Sequence, residues 1–238
     1  VSVLGVISEL FITVGVIALL YVVWQMWVGD MIYGAQRNAL GHELSQEWAA
    51  EYVPSDERPG GQASPDEPVT AEPVVLPEPA DAEIFGTLLI PRFGEDYSVP
   101  VAGGVSRART LDPIGIGHYP GTVMPGQVGN FAVAAHRTTW GKPFNRIADL
   151  RVGDAVVVET PAGWYTYRFR TLEYVTPSEV DVLAPVPQSA AAPTGTAYMT
   201  MTSCSPMYAM TERIIAYSVF ESFTPRDAGP PAALTEGV

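Results

Sequence analysis

The chain has one cysteine, Cys204, among 238 residues. One cysteine cannot form an internal disulfide or a multi-cysteine metal site. It is therefore either an inert buried thiol, the usual fate of free cysteine, or a reagent. Its surroundings favour neither reading alone. In Tyr198–Cys204, strict alternation puts Tyr198, Thr200, Thr202 and Cys204 on one face of a strand. Met199, Met201 and Ser203 take the other face. Ser205–Pro206 then turns the chain, and a second β-rich run follows from Glu212 to Phe220. If the two runs pair as an antiparallel hairpin, Cys204 lies opposite Arg213, about 5 Å away at the backbone.

His136 is the best-placed histidine. It follows Asn130–Ala135, where Phe131, Val133 and Ala135 can face a core while Ala132, Ala134 and His136 face away. Two alanines beside a histidine leave room for another molecule. Together these residues could carry out acyl transfer. An unperturbed cysteine thiol is only about 3% thiolate at neutral pH, so a neighbouring cation would raise its nucleophilicity. A fixed guanidinium can donate to the oxyanion formed when a thiolate attacks a carbonyl. An imidazole can protonate a leaving amine. Each residue also has an ordinary structural reading. His136 could be a satisfied barrel histidine, and Arg213 half of a surface pair with Glu212 or Asp227.

Short strands are expected to position this set. Val-, Ile-, Tyr- and Thr-rich runs begin near residues 84, 97, 130, 154, 164, 197 and 212, separated by Gly, Pro and Asp clusters. Short helical turns fit 106–111 and 144–150, and Pro161–Gly163 fits a hairpin turn. This many short strands predicts an all-β domain, a closed or nearly closed barrel, over 84–223. Ahead of it, Leu10–Gly29 is free of charge and long enough at about 1.5 Å per residue to cross a bilayer core. Trp24 and Trp27 sit near one end of that run, where interfacial aromatics belong. The expected organisation is a transmembrane anchor over 1–29, a juxtamembrane helix over 30–53, an acidic Pro-rich linker over 54–83, the barrel over 84–223 and a fraying tail over 224–238.

The linker holds seven prolines between Pro54 and Pro79, and 43–83 carries eleven carboxylates against Arg58 alone. Such a segment is expected to be disordered and extended, a spacer lifting the barrel off the membrane. The net charge of -13 excludes nucleic acid as a natural partner. No metal-ligand spacing or cofactor motif is present, so no cofactor is expected.

Thr200–Cys204 followed by Arg213 resembles the sortase signature Thr-Leu-x-Thr-Cys followed by Arg. Ala135–Thr138 resembles that family's histidine segment. The wider runs around 118–147 and 150–168 resemble the class E sortases of actinobacteria in particular. The resemblance covers essentially all of 84–223. It implies a closed barrel of about eight strands with short helices, with Cys204 as nucleophile, His136 as general acid/base and Arg213 as oxyanion or substrate stabiliser. It also implies Tyr119, Thr202 and Ser203 as substrate contacts, Tyr119 matching a tyrosine linked to Leu-Ala-x-Thr-Gly preference.

The implied reaction cleaves a Leu-Ala-x-Thr-Gly or Leu-Pro-x-Thr-Gly sorting signal between Thr and Gly. The acyl group then passes to a peptidoglycan amine. The implied enzyme is a single-pass membrane protein, monomeric, with its catalytic domain outside the cell. Three positions depart from the pattern: Ser203 for Thr, Met201 for Leu and Ala135 for Gly. None removes a reacting group. The alternatives are a non-catalytic tethered β-domain and a cell-wall cysteine transpeptidase that uses D-amino-acid donors. The latter usually carries Ser-x-Gly-Cys, which Ser203–Pro206 does not match.

Overall fold

The computed structural model of the chain describes residues 2–24, 28–52, 71–192 and 194–235. Eight strands form a closed barrel: β1 (Ile84–Leu89), β2 (Ser98–Gly103), β3 (Ile116–His118), β4 (Gly129–Ala135), β5 (Ala155–Thr160), β6 (Gly163–Val175), β7 (Ala197–Ser205) and β8 (Glu212–Pro225). Their order around the barrel is β1-β2-β3-β4-β7-β8-β6-β5. Closure leaves no unpaired sheet edge. Inward residues such as Leu88, Val101, Phe131, Val133, Met199, Met201 and Tyr167 fill the interior. The period-two pattern read from β4 and β7 is the pattern of core packing, with Phe131, Val133, Ala135, Met199 and Met201 in the core cluster, although every residue of β4 is buried. The turns expected at 106–111 and 144–150 are present as Arg107–Leu111 and Ile147–Asp149.

β3 has no counterpart among the strands expected from the sequence, where Gly115, Gly117 and Gly121 surround His118. Three residues are too few to show alternation. Parallel pairing to β2 and antiparallel pairing to β4 create the strand. His118 is buried there, stacked on Phe131 at 5.2 Å between ring centroids. Its Nε2 lies 2.9 Å from Thr122 Oγ1 and 3.2 Å from Val123 O. Desolvation holds its pKa below the usual imidazole value, against the opposing pull of Val123 O and Glu78. The folded state thus favours neutral His118, while the unfolded chain takes up a proton below about pH 6.5. Its stabilising contribution is complete above that pH and is lost as pH falls through the lower folded-state value. Thermal melts between pH 8 and 5 are expected to show this loss, and His118→Gln to show a shallower slope. An equally steep slope in the variant would rule out His118 as the cause.

The helix α1 (Val3–Val23) is apolar, has no buried residue, and is long enough to span a membrane. Trp24 stands at its end, while Trp27 lies outside the described residues. The helix α2 (Gly29–Glu51) follows. It does not stand free of the barrel, because it packs on β2, β1 and β5. Gly41 makes this approach possible: a Cβ there would lie 2.3 Å from Ser98 O. Ser98 N donates to Asn38 Oδ1 at 3.4 Å, and Ser45 Oγ donates to Glu159 Oε1 at 2.7 Å. Arg37 is buried and reaches the β2–β3 connection, where Nε donates to Ile114 O at 3.0 Å and Nη2 to Asp112 O.

The expected spacer over 54–83 is corrected in its second part only. Residues 53–70 lie outside the described residues, but 71–83 run extended along the barrel. Ala71 N donates to Phe223 O at 3.2 Å, Tyr165 Oη donates to Val74 O, and Gly121 N donates to Glu78 Oε1 at 3.1 Å. With α2 docked on one side and Ala71 bonded on the other, the barrel is held at the membrane-proximal helix rather than lifted from it. Extended backbone leaves its polar groups free of local pairing, and here the barrel's Tyr165, Gly121 and Phe223 pair with this segment, which composition alone does not reveal.

The tail does not fray over 224–235 either. Arg226 is buried, with Nη1 on Glu159 Oε1 at 2.9 Å, and its guanidinium stacks on Trp164 at 4.4 Å. Ala233 packs with Trp164 and Val157.

Candidate active-site groove

β4 and β7 run parallel, with Ala134 beside Thr202, so His136 leaves the end of β4 next to the end of β7. β7 and β8 run antiparallel with Cys204 opposite Arg213, the register read from the sequence. Because Met199 and Met201 point inward, Thr202 and Cys204 point outward. The consequence is an outer-face groove of about 600 Å³, within the range of small-ligand pockets. His136, Cys204 and Arg213 all line it, as do Tyr119, Thr202 and Ser203. The structure therefore brings together every site residue named from the sequence.

Cys204 is half-buried. Arg213 Nη1 donates to Met210 O at 3.2 Å and Glu212 O at 2.9 Å, which fixes the guanidinium at the head of β8. Tyr119 Oη lies 2.9 Å from Thr202 Oγ1, so a phenol and a threonine share a polar spot on the groove wall. Ser203 is buried, and its hydroxyl donates to Ala135 O at 2.7 Å. That bond ties β7 to β4 one residue before His136, which is where the hydroxyl of this position acts.

Three charged residues at the site, Asp112, Arg107 and Arg137, have no role in the sequence reading. Asp112 Oδ1 lies 2.6 Å from His136 Nε2, the pair being 21% and 13% exposed. Arg107 Nε lies 3.8 Å from the same oxygen. Arg137 is buried beneath the groove and donates through Nη1 to Cys204 O at 3.4 Å. Asp112 sits in a turn 24 residues before His136, and no spacing rule links them. Arg137 follows His136 directly and lines the same groove, but both lie past the end of β4, where alternation gives no signal for it.

A model of the sortase domain matches residues 88–221, more than half of the chain. The chain belongs to the sortase family, the transpeptidases with this barrel. Within the family it resembles class E. Sortase SrtE1 of Streptomyces coelicolor is 36% identical over 234 residues, which cover 96% of this chain and 60% of that protein. The chain thus spans about 60% of that relative's length. The solved SrtA sortase of Actinomyces oris superposes with a TM-score of 0.64 at 34% identity, covering 68% of this chain and 93% of that one. Sortase E1 of Streptomyces coelicolor, solved with a tripeptide in its active site, gives 0.60 at 35% identity, covering 66% and 99%.

Proposed function

We propose that this protein is a membrane-anchored cysteine transpeptidase that cleaves a Leu-Ala-x-Thr-Gly or Leu-Pro-x-Thr-Gly sorting signal between Thr and Gly. The observation that carries the reading is the convergence of Cys204, His136 and Arg213 on one outward groove. The Cys204 thiolate attacks the threonine carbonyl carbon. Arg213 stabilises the resulting oxyanion. The tetrahedral species collapses to a thioester, the Thr–Gly bond breaks, and His136 gives a proton to the departing glycine amine. A peptidoglycan amine then attacks the thioester, His136 takes its proton, and the Cys204 thiolate is released. Tyr119 and Thr202 contact the signal peptide along the groove wall, and Ser203 holds the strand ends that frame it. The tripeptide held in the active site of the Streptomyces coelicolor relative supports a peptide as occupant. The protein acts as a monomer on the outer side of the membrane, with α1 as its single span.

Mass spectrometry after mixing the protein with a Leu-Ala-x-Thr-Gly peptide tests this. The expected product is an acyl adduct on Cys204 ending in threonine, with the glycine fragment released. Intact peptide and unmodified Cys204 after prolonged incubation with both signal types would end the proposal.

A further inference from the structure

Arg37 lies in a slot that only glycine walls could form. A Cβ on Gly115 would come within 3.0 Å of Arg37 Cδ, and a Cβ on Gly141 within 2.6 Å of Arg37 Nη1. Both glycines have positive φ, 135° and 72°, so a side chain at either would also strain the backbone. From this slot the guanidinium donates to Ile114 O and Asp112 O. Burial lowers the pKa of Arg37, opposed by the attraction of Asp112 and Asp30. A cation taken out of water is costly, and here Nε and Nη2 reach two carbonyls of a single turn while Nη1 is buried without a hydrogen-bond partner. The side chain of that turn's first residue, Asp112, holds His136 Nε2 at 2.6 Å.

We infer that α2 is part of the catalytic unit: Arg37 fixes the Asp112 turn, and Asp112 fixes the imidazole of His136. This rests on the acid/base role proposed for His136. Asp112 and Arg37 are positioning residues and need not touch substrate. A carboxylate on Nε2 keeps the neutral ring protonated there and leaves Nδ1 to exchange the proton with the leaving and entering amines. The chain from helix to ring is continuous: guanidinium, backbone carbonyl, carboxylate and imidazole. Arg37 acts at a distance of 75 residues in sequence from Asp112, through a helix that the family-domain match over 88–221 does not include.

The test uses the full chain in detergent or nanodiscs. Arg37→Met keeps side-chain length and removes every donor. It is expected to lower kcat for peptide cleavage roughly ten- to a hundredfold with KM nearly unchanged, since displacing a catalytic group by about 1 Å costs on that scale. Asp112→Asn is expected to cost at least as much. The double variant is expected to be no worse than Asp112→Asn alone, because both act through one ring. Arg37→Lys, which can reach only one carbonyl at a time, is expected to recover part of the loss.

A second readout does not require turnover. The 15N shifts of His136 are expected to report the Nε2–H tautomer in the native chain and a tautomer mixture in Arg37→Met. If Arg37→Met does not fold, Arg37→Lys carries both measurements. Native kcat together with a native tautomer in a folded Arg37 variant overturns the inference, as does an additive double variant. A native chain that shows the Nε2–H tautomer but forms no thioester overturns the proposed function and leaves the positioning of His136 standing.

Discussion

Replacing Cys204 with alanine is expected to remove threonine–glycine cleavage, lowering kcat/KM by at least about three orders of magnitude. No other thiol exists in the chain to substitute for it. On the proposed reaction, Tyr119, Thr202 and Arg213 are expected to keep binding peptide, so KM for any residual hydrolysis should change far less than kcat. The fold should not suffer. Cys204 is half-buried on the outer face, and removing one sulfur there costs within about 1 kcal/mol. Melting temperature and activity should therefore separate cleanly. His136→Ala should lose nearly as much activity, and the pair together little more, because nucleophile and acid/base act as one unit. Full cleavage by the Cys204→Ala protein would leave a tethered scaffold as the better description.

The largest expected effect on stability lies on the far side of the barrel from any chemistry. Glu159 and Arg226 are 2% and 4% exposed and pair at 2.9 Å. Arg226 also donates to Pro161 O at 3.2 Å and to Thr160 O, and Ser45 donates to Glu159 from α2. Glu159→Ala strands a buried guanidinium, at a cost of about 3–5 kcal/mol. For a domain of this size that lowers Tm on the order of 10 °C. It should also loosen the end of α2 by removing the acceptor for Ser45. The double variant Glu159→Met/Arg226→Met leaves no stranded charge and should recover most of the loss, since apolar replacements of a buried pair are often neutral. A double variant as unstable as Glu159→Ala would show that packing, not the unpaired charge, sets the cost.

Much of this architecture is legible in the residues. Seven of the eight strands follow from β-rich runs between Gly, Pro and Asp clusters. The outward aim of Thr202, Cys204 and His136 follows from period-two alternation, because Phe131, Val133, Met199 and Met201 leave no doubt which face is the core. The Cys204–Arg213 register follows from the short turn between β7 and β8. What alternation cannot show is contact between elements distant in sequence. β3 exists only because β2 and β4 flank it. The Asp112–His136 pair forms because the turn before β3 comes to rest beside the end of β4. The docking of α2 was hidden because Arg37 and Ser45 look like solvent-facing residues of a polar helix. Its one local signal is Gly34 and Gly41, seven residues apart and so on the same face, where a helix can meet another backbone closely. The charge of the tail conceals Arg226 in the same way, since its partner Glu159 is 67 residues upstream, near the end of a hydrophobic strand.

The docking of α2 changes what a cut in the acidic segment would accomplish. α2 is seated on the barrel ahead of residues 53–70, and Ala71 is bonded to it directly after them. A protease that severs them is expected to leave α2 gripping the barrel, with Gly41 and Asn38 on β2, Arg37 on the β2–β3 connection and Ser45 on β5. The severed molecule persists as a two-piece assembly on the bilayer. Shedding the barrel into the medium demands that the helix–barrel interface be pulled apart, and the Arg37 clamp would be lost along with it.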